Sequence, residues 1–253
     1  MPFAIMANEE QNSFCKRMRK ATREIHTISD SLVNAKLAFG FFDNSIWADG
    51  LLVFYEIFRY LELAMIRSKD TQVGLFLREE LRRTEAFERD LEFYLGKEWK
   101  KDYSPRESVT KYLIHLNEIE KADPILLVAY IYHLYMGLLS GGIILQKKRQ
   151  LVRKAWPFKQ IQTTSSNIIQ FGDSSIYELK QYMRDTMNKI ADTLDEDTKD
   201  KLIEESKTVF ALNNEIIRSV QGIGTVALKK TAYFVISVLV FLFAFFIVYT
   251  QSA

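Results

Sequence analysis

His26 is the first residue whose neighbours suggest chemistry. Advancing about 100° per residue along a helix, Arg19 lies about 20° from it, Arg23 about 60° and Asp30 about 40°. All four residues therefore share a face distinct from an apolar stripe through Ile25. The plain account of such a face is a solvated ladder of arginine and aspartate. The sharper account is that His26 ligates a metal whose complex carries anionic groups, with the arginines pairing those anions and Asp30 supporting the imidazole. The chain has 3 His and 1 Cys, and no His or Cys stands four residues from His26 to share a metal. One protein ligand implies a macrocycle supplying the rest, and haem with its two propionates meets that description.

The second stretch is ILLVAYIYHLYMGLLSGGIIL, residues 125–145, in which His133 is the one ionisable side chain apart from tyrosines. Its length would permit a membrane span, and Gly137 with Gly141 has the spacing of packed membrane helices. As a buried helix instead, Gly137, Gly141 and Gly142 would each cost up to about 1 kcal/mol relative to alanine. A flat ligand lying directly against the backbone is a reason to keep them. A third feature is the basic run Lys147, Lys148, Arg149, Arg153 and Lys154, with no acid from 147 to 159. It reads either as a solvated helix end or as a docking surface for an acidic electron donor, and anionic lipid headgroups would use the same charges.

The elements that must carry these residues are helical. Of 253 residues 10 are Gly and 4 are Pro, too little turn chemistry for a many-stranded sandwich or barrel. Met18, Ala21, Ile25, Ile28 and Leu32 step by three and four, and further helices are expected at about 46–67, 72–95, 106–120, 125–149, 173–192 and 195–220. Asp123 and Pro124 open the 125–149 helix, and Asp173, Ser174 and Ser175 supply caps for the next. Residues 155–172 are Ser/Thr-rich and aperiodic, hence a loop, and Gly222 with Gly224 marks a hinge. The expected organisation is an N-terminal extension at 1–12, a helical domain at 13–222, a hinge at 223–230 and a transmembrane anchor at 231–250. Residues 231–250 carry no charge, Gly or Pro and would span roughly 30 Å as a helix, with Lys229 and Lys230 just before them. This reads as a C-terminal tail anchor, with the helical domain facing the cytosol.

Composition excludes other classes. The 34 Lys+Arg against 32 Asp+Glu give a net charge of +2, too balanced for a dedicated nucleic-acid binder. A single Cys15 rules out an internal disulfide scaffold, and no Cys/His run has zinc-finger spacing. No dinucleotide fingerprint or phosphate loop occurs, so electrons for any redox step come from a partner.

Five blocks carry a resemblance: KATREIHTISD around His26, LREELRRTEAFERDLEFYLGKEW at 77–99, DPILLVAYIYHLYMGLLSGG at 123–142, LKQYMRDTMN at 179–188 and IEESKTVFALNNEI at 203–216. In order and spacing they resemble the haem oxygenase family. The resemblance implies an all-α, multi-helix domain holding haem between a proximal helix and a bent distal helix. The activity implied is oxidation of haem, as cofactor and substrate, to biliverdin, carbon monoxide and ferrous iron with O2. Electrons would come from NADPH through a microsomal cytochrome reductase, and biliverdin reductase would be a downstream partner. It implies His26 as axial ligand, Arg19, Arg23, Lys180 and Arg184 near the propionates, and Gly137, Ser140, Gly141 and Gly142 as the distal hinge. Tyr132 is kept, and the terminal run resembles the family's endoplasmic-reticulum tail. Three positions depart from the pattern. Leu138 stands where members have an aspartate that organises proton-delivering water, Phe58 where a tyrosine is common, and Leu134 where an arginine is. The distal network is expected to be partly stripped, leaving a haem-binding carrier, sensor or peroxidase-like protein as the rival reading.

Overall fold

The computed structural model describes residues 13–41, 43–155 and 164–222, and among them every regular element is helical. The expected extension at 1–12, the hinge at 223–230 and the anchor at 231–250 lie outside the described residues, as does 156–163 of the expected loop. The α-helices are α1 Phe14–Ala21, α2 Arg23–Gly40, α3 Asn44–Arg67, α4 Thr84–Leu95, α5 Glu107–Ala122, α6 Leu127–Gly137, α7 Ile143–Ala155, α8 Ile176–Asp192 and α9 Glu196–Arg218.

α3 is the spine. Asp43 caps it by accepting from the Ser45 and Ile46 backbone N–H groups, and it buries residues from Ile46 to Met65 around its circumference. The helix expected at 72–95 is instead two 3-10 turns, Val73–Phe76 and Glu79–Leu81, followed by α4. The reason is tertiary. The Glu62 carboxylate, buried on α3, accepts from the Arg83 and Thr84 backbone N–H groups and from Thr84 Oγ1, so α4 can start only there. A side chain at Gly74 would come within 2.4 Å of Lys69 backbone atoms, so the turn before it tolerates nothing larger.

Two buried ions fasten the loop before α8 to this corner. The Arg83 guanidinium donates to the Ile168 and Gln170 carbonyls and lies 4.2 Å over Phe171. Asp90 accepts from Ser165 Oγ, the Asn167 and Ile168 N–H groups and Asn167 Nδ2. Part of the region read as an irregular loop thus forms a 3-10 turn at Asn167–Ile169, and α7 runs on to Ala155. Of the expected caps, Ser175 is the one that acts, in a capping box with Glu178.

The apolar stretch 125–145 is a core element of the fold. The helix Pro124–Lys154 is long and apolar enough to cross a membrane, but half of its most apolar window is buried inside the fold. Leu127 to Tyr132, Leu134, Tyr135 and Leu139 are buried on several faces at once. The basic run after it also needs correction. Arg149 is fully buried, donating to Tyr94 Oη and to Asn44 Oδ1 at 2.6 Å and lying 4.4 Å over the Trp47 ring. Arg153 also bonds Asn44. These two arginines hold α7 to the start of α3, so they are not part of a docking surface.

Candidate functional site

The proximal element is interrupted. Thr22 lies between α1 and α2 with its Oγ1 donating to the Met18 carbonyl at 2.9 Å, yet the backbone ladder passes through it, since His26 N–H reaches the Thr22 carbonyl at 2.9 Å. Of the expected apolar stripe, Met18 is buried, while Ala21 and Ile28 are exposed, Ile28 by 55%. Burial of this segment is carried instead by Phe14, Cys15, Met18, Thr22 and Ser29. The face with Ile25 and Ile28 is therefore not simply core.

His26 is half exposed, and its Nδ1 lies 3.1 Å from Asp30 Oδ2. A carboxylate there accepts a hydrogen bond from Nδ1–H, the tautomer whose Nε2 lone pair can ligate a metal. Phe210 of α9 packs against the imidazole with ring centroids 5.2 Å apart, and also against His133 of α6, 5.0 Å away. His133 Nε2 is buried with no hydrogen-bond partner. Burial, with a contribution from His26, pushes its pKa down to about 3, so this imidazole is neutral throughout the physiological range.

A cationic edge forms next to Tyr132. That phenol is buried beside the Cys15 thiol, which donates to the Arg184 carbonyl at 3.6 Å, and feels the charges of Arg184 from α8 and Arg19 from α1. Burial, then the Cys15 partner, raise the Tyr132 pKa, and the two arginines oppose them. Burial likewise pushes the Cys15 thiol up. Arg184 also donates to Gln181 Oε1 at 2.8 Å. Lys180 is half-buried one turn before Arg184, and Arg19 and Arg23 are exposed. None of these three basic side chains forms an ion pair with a described carboxylate.

The distal element is α6, then a π turn over Leu138–Gly142, then α7. A π turn lodges one extra residue per turn and re-aims the backbone, which is how a single long helix comes to be bent. His133, Gly137 and Gly141 follow one another at intervals of four, so the two glycines continue the face that carries His133 towards Phe210. A Cβ at Gly137 or Gly141 would meet nothing within 4 Å, whereas one at Gly142 would lie 2.9 Å from Leu138 Cδ1. Gly142 thus gives room to the Leu138 side chain, and Gly137 and Gly141 bare the backbone. Ser140 is half-buried within the same turn. Phe58 and Leu134 are buried; Phe58 packs 5.1 Å from Tyr135 and 5.2 Å from Phe87, with no polar group of its own.

An imidazole paired with a carboxylate, a bare glycine backbone in the distal turn and cations without a described carboxylate partner form a donor set that fits haem and its propionates. The profile of the Heme oxygenase family matches residues 12–219. The chain belongs to the haem oxygenase family. Haem oxygenases are oxidoreductases that degrade haem, which serves them as both substrate and cofactor. The chain is 30% identical over 217 residues to Heme oxygenase 1 of Homo sapiens, covering 82% of this chain and 72% of the relative. It is 34% identical to Heme oxygenase 1 of Gallus gallus, where the match covers 66% of this chain and spans 55% of the relative's length. The crystal structure of heme oxygenase 2 from Chlamydomonas reinhardtii without heme superposes with a TM-score of 0.74 at 26% identity, covering 83% of this chain and 98% of that one. Heme oxygenase-2 from Synechocystis in complex with heme and NO gives 0.71 at 25% identity, covering 83% and 85%.

Sequence reasoning missed Phe210 and the place of His133. Phe210 looks like any apolar position of α9, and only the packing of α2 and α6 against α9 brings it against two imidazoles.

Proposed function

We propose that this chain opens haem oxidatively to biliverdin, carbon monoxide and ferrous iron, consuming O2 and electrons from a partner, with His26 as the protein ligand to the iron. The observation that carries this reading is the His26–Asp30 pair, in which the Nδ1 side of the imidazole is taken up by a carboxylate and Nε2 is the nitrogen left to ligate. Bound haem supplies the iron and the macrocycle on which oxygen is activated. The chain's own residues bind and orient it. Arg19, Arg23, Lys180 and Arg184 would hold the propionates, with Tyr132 as a hydroxyl donor beside Arg19 and Arg184, and so would orient the bound group. Phe210 backs the His26 ring. Gly137, Ser140, Gly141 and Gly142 let the distal backbone approach the ring face.

The electron donor in this reading is an NADPH-dependent microsomal cytochrome reductase, with biliverdin reductase taking the product. Residues 231–250 act as a tail anchor in the endoplasmic-reticulum membrane, 223–230 as the hinge and 13–222 as a catalytic domain on the cytosolic side. A second reading, haem binding with weak or no ring opening, is favoured by Leu138, Phe58 and Leu134, three apolar side chains where the resemblance implies polar ones. The test is haem loading without oxygen followed by reductase, NADPH and O2. Loss of the Soret band with biliverdin formed is expected; a stable Soret band would favour the second reading. His26→Ala should change the ferric spectrum, and added imidazole should restore it. An unchanged spectrum would move the ligand to His115 or His133.

A further inference from the structure

α7 turns two different faces to its surroundings. Gln146, Arg149 and Arg153 face the fold, where the two arginines meet Asn44 at the start of α3. The opposite face carries Ile144, Lys147, Leu151 and Lys154, about 140° to 220° around the helix from Arg149. Ile144 is 53% exposed and Leu151 67%, and both lysines are exposed. Lys147, Gln150, Leu151 and Lys154 line a shallow depression there. No acidic residue occurs anywhere in α7. Two bare aliphatic side chains interleaved with two cations form the amphipathic pattern of a helix lying in a headgroup layer.

The described chain ends at the same corner. Gln221 N–H donates to Asp49 at 2.7 Å, and a Cβ on Gly222 would lie 3.3 Å from Ile46, so the chain leaves the fold within the first turns of α3. Arg149 and Arg153 bind the first residue of that same helix. Residues 223–230 can reach at most about 30 Å before the apolar run at 231 begins.

We propose that the outward face of α7 rests on an anionic phospholipid surface, with Ile144 and Leu151 dipping into the headgroup layer and Lys147 and Lys154 pairing lipid phosphates and carboxylates. The proposal rests on the anchor reading only for bringing a bilayer close. Contact there would hold the tethered domain in one orientation.

The experiment places a nitroxide at Leu151→Cys in the full chain, reconstituted into phosphatidylcholine nanodiscs with and without phosphatidylserine. Ile114→Cys, 53% exposed on α5, is the control, and buried Cys15 escapes labelling. In discs containing phosphatidylserine the label at 151 should be shielded from an aqueous nickel chelate and open to oxygen, while the label at 114 stays open to the chelate. Adding Lys147→Glu and Lys154→Glu should abolish the shielding. A label at 151 that stays water-accessible with phosphatidylserine overturns the proposal. So does shielding that appears only when an acidic reductase is added, which would make this a protein-docking face. If the full chain washes off membranes with carbonate, the anchor reading fails separately. The same labels on chain added to phosphatidylserine vesicles then decide the α7 proposal, with a loss of about 25-fold in partitioning expected for Lys147→Gln with Lys154→Gln, about 5-fold per lysine.

Discussion

At position 138 a leucine stands where the resemblance implies a carboxylate, and its side chain lies across Gly142 with nothing to offer a proton. The site is half-buried, so a shorter carboxylate there can reach water and costs less than it would in the core. We expect Leu138→Asp to raise biliverdin formed per haem, since delivery of a proton by a held water contributes about 100-fold to 10,000-fold where geometry allows. Wild type, Leu138→Asp and Leu138→Asn should be compared, with haem affinity measured separately; equal yields in all three would mean that another proton route exists. His133 makes a pH prediction. Burial holds its folded pKa near 3, below the ordinary value of 6.5, so the unfolded chain binds the proton first. Its contribution is fully present above about pH 6.5 and is lost as pH falls towards 3, with a slope of up to about 1.4 kcal/mol per pH unit. Urea midpoints of the haem-free chain across this window should fall less steeply in His133→Leu than in wild type.

Among the elements, the π turn carries most of the site's design. Gly137, Gly141 and Gly142 share a sequence signature but have different surroundings, and their alanine variants should separate accordingly. Gly137→Ala and Gly141→Ala put a methyl into open space, so the haem-free fold should keep its stability or gain up to about 1 kcal/mol, while haem affinity falls. Gly142→Ala puts a methyl 2.9 Å from the end of the Leu138 side chain, which must turn aside, so its gain should be smaller than at the other two positions and should be restored in the double variant with Leu138→Ala. Chemical denaturation and haem titration of the four variants check this. A common loss of stability at all three glycines would refute it.

For the whole molecule, removing residues 225–253 should release the protein from membranes, and the thermal midpoint should stay close to that of the detergent-solubilised whole chain. Retention after a carbonate wash would argue against the tail anchor. The all-helical class, the positions of most helices, the apolar stretch around 125–145 and the His26–Asp30 pairing were all legible in the chain, because they depend on local spacing: period 3.6 for helices and one turn for the ion pair. Tertiary structure alone decided the rest. The 72–95 stretch breaks because Glu62, from another helix, caps it at Thr84. Arg149 turns inward because Asn44, Tyr94 and Trp47 gather around it, and nothing in a run of basic residues separates a buried cation from its exposed neighbours. Phe210 meets both His26 and His133 because α9 packs against both helices that carry them. Local patterns follow from backbone geometry within a few residues, whereas burial and partnership depend on side chains brought together from distant positions, 22 apart for Glu62 and Thr84 and 105 apart for Arg149 and Asn44.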